Sequence, residues 1–141
     1  MDHVVYLDTK ARELEKLLAG EKSMIVRGAA GRKLPHGRVD AGDCLFFIQN
    51  NGDGMVCASG QVSSVFNSEK LTENQSSQLL KTYQAKLALT PEQVKRWAGK
   101  RYLVLVEVTD IQAAGPFPID RSEFGNMDDW LIVENIERVR K

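Results

Sequence analysis

The sequence predicts an α+β domain: a β-barrel or mixed sheet with one helix at the front and a helical insertion in the middle. Three observations carry this expectation. Short, β-prone apolar runs bounded by turn residues occupy both ends of the chain. One amphipathic stretch follows the first of those runs. Two capping boxes, Thr72-Glu73-Asn74-Gln75 and Thr90-Pro91-Glu92-Gln93, open helical segments between the fourth and fifth strand-like runs.

The elements follow in order. Val4-Val5-Tyr6-Leu7 is the first strand-like run. Asp8 or Thr9 then offers an N-cap, and Ala11, Leu14, Leu17 and Leu18 share a helical face. Gly20 is placed to stop that helix, because glycine tolerates the left-handed residue that ends one. Ser23 to Arg27 reads as a strand, and Gly28 to Gly37 as a loop rich in glycine and positive charge. Asp40-Ala41-Gly42-Asp43 reads as a turn before the apolar strand Cys44–Gln49. Asn50-Asn51-Gly52-Asp53-Gly54 is a hairpin signal, since asparagine and glycine accept positive φ. Met55 to Phe66 is a long strand with Gly60 as a bulge. The insertion spans about 71–98, with Leu79, Leu80, Tyr83 and Leu87 on its first helix, and Val94 and Trp97 on its second. Tyr102–Val108 returns to strand, Gly115-Pro116-Phe117-Pro118 is expected to break it, and Leu131-Ile132-Val133 is a last short segment. There are no repeats, and residues 1–141 read as a single domain.

Composition narrows the function classes. The 141 residues hold 19 lysines and arginines against 19 aspartates and glutamates, so the formal net charge is zero. The basic footprint of a duplex-DNA binder is missing. A local basic patch is still compatible with that balance, because net charge does not report distribution. Cys44 and Cys57 lie in apolar strand-like runs and are expected to be buried, reduced thiols. Metal spacing is absent, and no cofactor motif is present. The N-terminus, Met1-Asp2-His3, lacks a basic start and apolar run, and no stretch is long enough to span a bilayer. The cytoplasm is the expected compartment, with no membrane partner. No sequence feature specifies an oligomeric state.

The most informative local feature is Gly20-Glu21-Lys22, with Arg27 five residues beyond the lysine. A helix stops there and turns directly into a strand. That places Lys22 at the lip of the turn and Arg27 at the far end of the strand. Period-two alternation puts Ser23, Ile25 and Arg27 on one face, opposite Met24 and Val26. Arg32, Lys33, His36 and Arg38 add positive charge on the adjoining loop, where glycines let backbone N–H groups approach a phosphate. The spacing alone favours a solvated lysine and an arginine stacked on the sheet edge over a cleft. Trp130, Phe117 and Phe124 are aromatic surfaces for which core packing is the expected role. Asp128, Asp129 and Glu134 are expected to cap or solvate the last segment.

The order of helix, Gly20-Glu21-Lys22 turn, Arg27 strand, Gly42-Asp43 turn and apolar strand resembles an ASCH domain, a family of PUA-like β-barrels. The resemblance covers the front half, and Tyr102–Val108 fits a later barrel strand. It implies a PUA-like (ASCH) small β-barrel with flanking helices. It also implies a cationic cleft at the first helix–strand junction that binds RNA or a modified nucleoside through Lys22, Ser23, Arg27, Arg32, Lys33, His36 and Arg38. Some members of the family are acetylcytidine amidohydrolases that use the motif lysine, a threonine three residues later and a downstream glutamate. Here Lys22 matches the lysine, Ile25 stands at the threonine position, and Gln84-Ala85-Lys86 supplies no carboxylate. Catalysis would then fall to Lys22 and Ser23, the nearest hydroxyl. The resemblance therefore implies a binding domain, with a hydrolase of acylated nucleosides as the alternative. A third reading is a regulatory domain whose insertion, Leu71 to Trp97, meets a protein partner.

Overall fold

In the computed structural model, which describes residues 1–125 and 128–141, six strands form one mixed, curled sheet in a half-barrel. The strands are β1 (Asp2–Leu7), β2 (Met24–Ala29), β3 (Cys44–Gln49), β4 (Met55–Asn67), β5 (Tyr102–Pro118) and β6 (Trp130–Glu134). Their order across the sheet is β2-β5-β4-β3-β1-β6. Only β1 and β3 pair in parallel; the other neighbours are antiparallel. A parallel pair needs a crossover. Here it runs through α1 (Glu13–Leu18), β2 and the glycine loop. The fold is thus the small α+β barrel that the sequence predicts.

Alternation divides the apolar residues between two faces. Val5, Leu7, Ile25, Phe47, Val106 and Trp130 form a cluster on one face, which Leu14 and Leu17 of α1 cover. Met24 and Val26 point the other way, into a cluster with Leu80, Leu87, Leu89 and Trp97. A third cluster joins Val4, Ile48 and Leu131 to Ile136 and Val139. Ile136 opens the single turn Ile136–Arg138, and Val139 follows it.

The helical insertion comprises α2 (Glu73–Thr82), α3 (Gln84–Leu87) and α4 (Pro91–Trp97). Both capping boxes close, with Thr72 accepting from the Gln75 amide and Thr90 from the Gln93 amide. The expected first helix does not run through to Leu87. It stops at Tyr83, and a separate short turn begins at Gln84. Leu80, Leu87 and Trp97 are buried against β2 and β5, so the insertion is a packed layer of the domain.

Three further expectations are corrected. Gly115-Pro116-Phe117-Pro118 does not end the fifth strand. β5 continues to Pro118, pairing Phe117 with Val56, while register shifts in β4 absorb the bend. Leu18 is not on the buried face of α1 but 46% exposed: Leu14 and Leu17 fill the buried stripe, and Leu18, the helix's last residue, falls at its edge. Cys44 and Cys57 are free but only half-buried. The hairpin and the bulge form where expected: the β3–β4 turn spans 50–54, and the β4–β5 register shifts at Gly60.

Candidate functional site

Arg27 floors the site. Ile25 lies on the core face of β2, so Arg27, two residues on, reaches the same face at the strand's open end. Its Nη1 donates to the Val26 carbonyl at 2.8 Å and its Nη2 to the Tyr6 carbonyl at 2.7 Å. Its Nε lies 3.2 Å from Asp129 Oδ2, but the N–H does not point along that line. The contact is therefore Coulombic, and this buried N–H has no hydrogen-bond acceptor among the described residues. The Trp130 ring lies beneath, with the guanidinium carbon 5.8 Å from its centroid.

Lys22 does not stand at the lip of the turn. Its side chain is fully buried, and its ammonium donates to the Leu87 carbonyl at 2.5 Å and lies 3.2 Å from Glu13 Oε2. Ser23 accompanies it, donating its amide to the Lys86 carbonyl at 2.9 Å, and Lys16 reaches the Ala88 carbonyl at 3.0 Å. These three residues tie the front of the domain to the carboxyl end of α3. Burial pushes the Lys22 ammonium below its usual range, against the pull of Glu13. Burial likewise raises the Glu13 carboxyl, but Lys22, then Arg27 and the Asp8 amide outweigh it and hold the group below its ordinary value. The Asp8 amide donates to Glu13 Oε1 at 2.7 Å, so both carboxylate oxygens are engaged.

Above this layer opens a cleft of about 420 Å³ between β1, α4 and the β5–β6 connection. Glu13 and Arg27 form its base, and Lys22 is sealed behind them. Tyr6 and Trp97 are its aromatic walls. Each carries an arginine: Arg121 lies 5.2 Å from the Tyr6 ring centroid and Arg96 lies 4.5 Å from that of Trp97. Arg121 also donates to the Gly125 and Asp128 carbonyls. Asn50, Gln93, Asp8, Asp128 and Asp129 complete the lining. The expected cationic cleft is therefore mixed in charge, because Asp8, Glu13, Asp128 and Asp129 line it beside Arg27, Arg96 and Arg121, and Asp129 lies against Arg27.

The remaining expected site residues disperse. Ile25 is fully buried, so the place of the family's threonine is core. Arg32 pairs with Glu69 at 3.5 Å and lies over Tyr102. His36 donates its ring N–H to the Ser68 carbonyl at 2.9 Å and packs edge-on against Tyr102. That fastens the loop to β4 and β5. Arg38 is exposed and away from the cleft lining. Lys33 lines a second, adjoining cleft that shares Arg27 and Trp97 with the first. Among the described residues no group of three or more His, Cys, Asp or Glu side chains is placed to hold a metal.

Sequence reasoning missed Glu13, Tyr6, Trp97, Arg96 and Arg121 as cleft residues. Glu13 carried a legible signal: it stands four residues before Leu17, a carboxylate on the apolar stripe of its own helix. Asp129 was read as a solvating charge and instead faces Arg27. Phe117, Phe124 and Trp130 pack into the core as expected.

A buried network fixes Trp130, and with it the platform under Arg27. The Trp130 indole N–H donates to His3 Nδ1 at 3.1 Å, so Nδ1 is an acceptor and the proton sits on Nε2, which donates to Asp43 at 2.8 Å. Burial would raise the Asp43 carboxyl, but the Asp40 amide and His3 hold it below its ordinary value. His3, three residues into the chain, is fully buried.

No family model and no curated protein matches the sequence. The shape does match solved structures. A tyrosine-to-phenylalanine mutant of ZmASCH from Zymomonas mobilis superposes with a TM-score of 0.70 over 97% of this chain and 93% of its own, at 15% identity. A serine-to-alanine mutant gives 0.71 over 97% and 91%, at 13% identity. The crystal structure of ASCH from Zymomonas mobilis gives 0.67 over 94% and 89%, at 16% identity. The chain thus has an ASCH-type fold, with Lys22 at the junction of the first helix and second strand and Arg27 within that strand.

Proposed function

We propose that the cleft above Arg27 binds a single planar base, as a modified nucleoside or as one residue of single-stranded RNA. The observation that carries this reading is the pair of aromatic side chains, Tyr6 and Trp97, each bearing an arginine, that line one cleft with a fixed guanidinium. Base stacking on an aromatic face is worth about 1–3 kcal/mol and tolerates any base. Asn50, Asp129 and Glu13 add polar groups able to read base edges. The volume suits one nucleoside rather than a duplex, and zero net charge fits few phosphate contacts.

Titration of ribonucleosides and short single-stranded RNA, followed by intrinsic tryptophan emission, tests the reading. Saturable binding that weakens at least about tenfold in Y6L, with the urea midpoint held, supports it, as expected for one lost stacking partner. Absence of binding at low salt, or affinity unchanged in Y6L and R27A, overturns it.

A second reading, hydrolysis of an acylated nucleoside, is favoured by one observation. Glu13 supplies, on the cleft surface and 3.2 Å from Lys22, a carboxylate that the sequence did not offer. Incubation with acetylcytidine followed by chromatography decides it. Cytidine released by the native protein and not by E13Q supports hydrolysis; no release at high protein concentration removes acetylcytidine as a substrate.

A further inference from the structure

Beside the aromatic cleft lies a second one, of about 210 Å³, which shares Arg27, Arg96, Trp97 and Asp129 with it. Its own residues include Lys33, from the glycine loop, and Lys100, just after α4. Two segments far apart in sequence thus aim cations at the same small space. Among the described residues, Lys33, Arg96 and Lys100 have no carboxylate within ion-pairing distance, as is true of most of the chain's lysines and arginines; what sets these three apart is that they line one cleft. Unneutralised like charges repel, so their convergence costs stability unless an anion joins them.

Two features show that the convergence is built. Gly28 lets Lys100 come close: a Cβ there would lie 3.2 Å from the Lys100 Cβ and 2.7 Å from Leu103 Cδ2. Arg27, with about nine-tenths of its side chain buried, keeps a buried Nε–H without an acceptor at the boundary of the two clefts. Asp129 is the one carboxylate in the second cleft, and it lies against that same nitrogen.

We propose that the second cleft is a phosphate subsite, formed by Lys33, Arg96 and Lys100 with Arg27, and that the ligand is a phosphorylated nucleoside whose base lies in the first cleft. This rests on the base-binding reading above. Trp97 and Arg96, common to both clefts, span base and phosphate. Asp129 holds Arg27 in the unliganded protein and opposes the incoming anion. The shared chemistry is a phosphate attached to a nucleoside; it belongs either to a free mononucleotide or to a single strand.

Calorimetric titration of the four ribonucleosides, their monophosphates and a short single-stranded RNA tests the subsite. Monophosphates are expected to bind about tenfold or more tighter than their nucleosides, as one charge-assisted phosphate contact supplies. In K33Q/K100Q, which keeps the aliphatic stems, that advantage disappears while nucleoside affinity holds. In D129N it widens. Equal affinity of nucleoside and monophosphate, or an advantage that survives K33Q/K100Q, overturns the subsite and leaves base binding standing. RNA binding more tightly than the monophosphate identifies the strand as the source; no gain identifies the free mononucleotide. If neither nucleoside nor nucleotide binds, base binding fails, and inorganic phosphate then decides the subsite alone. Amide shifts confined to Gly28, Lys33 and Lys100 uphold it; shifts absent, or scattered over surface lysines, overturn it.

Discussion

Lys22 ends a flexible stem in a place water does not reach, and its charge is tolerable there because Glu13 and the Leu87 carbonyl receive it. Removing one partner leaves the other charged and buried, which costs roughly 3–5 kcal/mol. K22M is therefore expected to lower the urea midpoint strongly, while E13Q/K22M, which removes both charges, recovers much of the loss. A double-mutant cycle by chemical denaturation measures this. The same pair sets an acid limit. Glu13 has an ordinary carboxyl pKa near 4.5 when unfolded and a lower one when folded, so it contributes stability above 4.5. That stability is lost as pH falls from 4.5 through the lower folded value, where the unfolded chain takes up the proton first. E13Q is expected to flatten the stability curve in that window, read by denaturation at successive pH values. Period two was enough to place Arg27 on the face of Ile25. Nothing periodic told that Lys22 is buried, since its partners come from a preceding helix and from residue 87.

At the scale of elements, Gly60 shows how β4 is fitted across β5. A Cβ at that position would lie 2.6 Å from Ile111 Cδ1 and 3.4 Å from the Phe47 ring. G60A is expected to cost about 1 kcal/mol, because the tip of the Ile111 side chain can move aside, and I111A to relieve much of that cost in the double variant. Thermal melts of the three variants check it. The insertion was legible because its signals are local: Thr72 and Thr90 each satisfy amides three residues ahead. T72A and T90A are each expected to cost about 1 kcal/mol. The continuation of β5 through Pro116 and Pro118 was not legible. Proline reads as a strand breaker unless the partner strand shifts register, and that shift belongs to β4. The insertion buries Leu80, Leu87 and Trp97 against β2 and β5, while its outer face leaves an apolar groove lined by Leu89, Pro91 and Val94.

For the whole molecule, charge and shape limit what can be bound. With 19 charges of each sign, no surface-wide field draws in a long polyanion, and the cations in the two clefts are few. Binding of single-stranded RNA is therefore expected to show a shallow salt dependence. The slope of log affinity against log salt should lie near −1 to −2, since each phosphate contact contributes about −0.7 on single strands. A steep slope in a salt-titration series would instead indicate a broad electrostatic surface. Among the described residues no helix is long and apolar enough to cross a membrane.

By itself the sequence determined the elements, their faces and the class of fold. Those rest on interactions spanning a few residues: capping boxes, a two-residue alternation on β2, and glycines at turns. Only the tertiary structure decided the site. Arg27 finds the Tyr6 carbonyl 21 residues away, Lys22 finds Leu87 across 65, and Trp130 finds His3 across 127. The cleft's aromatic wall, Trp97, arrives from the insertion, and its counter-charge, Asp129, from the loop before β6. Such meetings depend on how the sheet curls and in what order its strands pair, which no local pattern encodes.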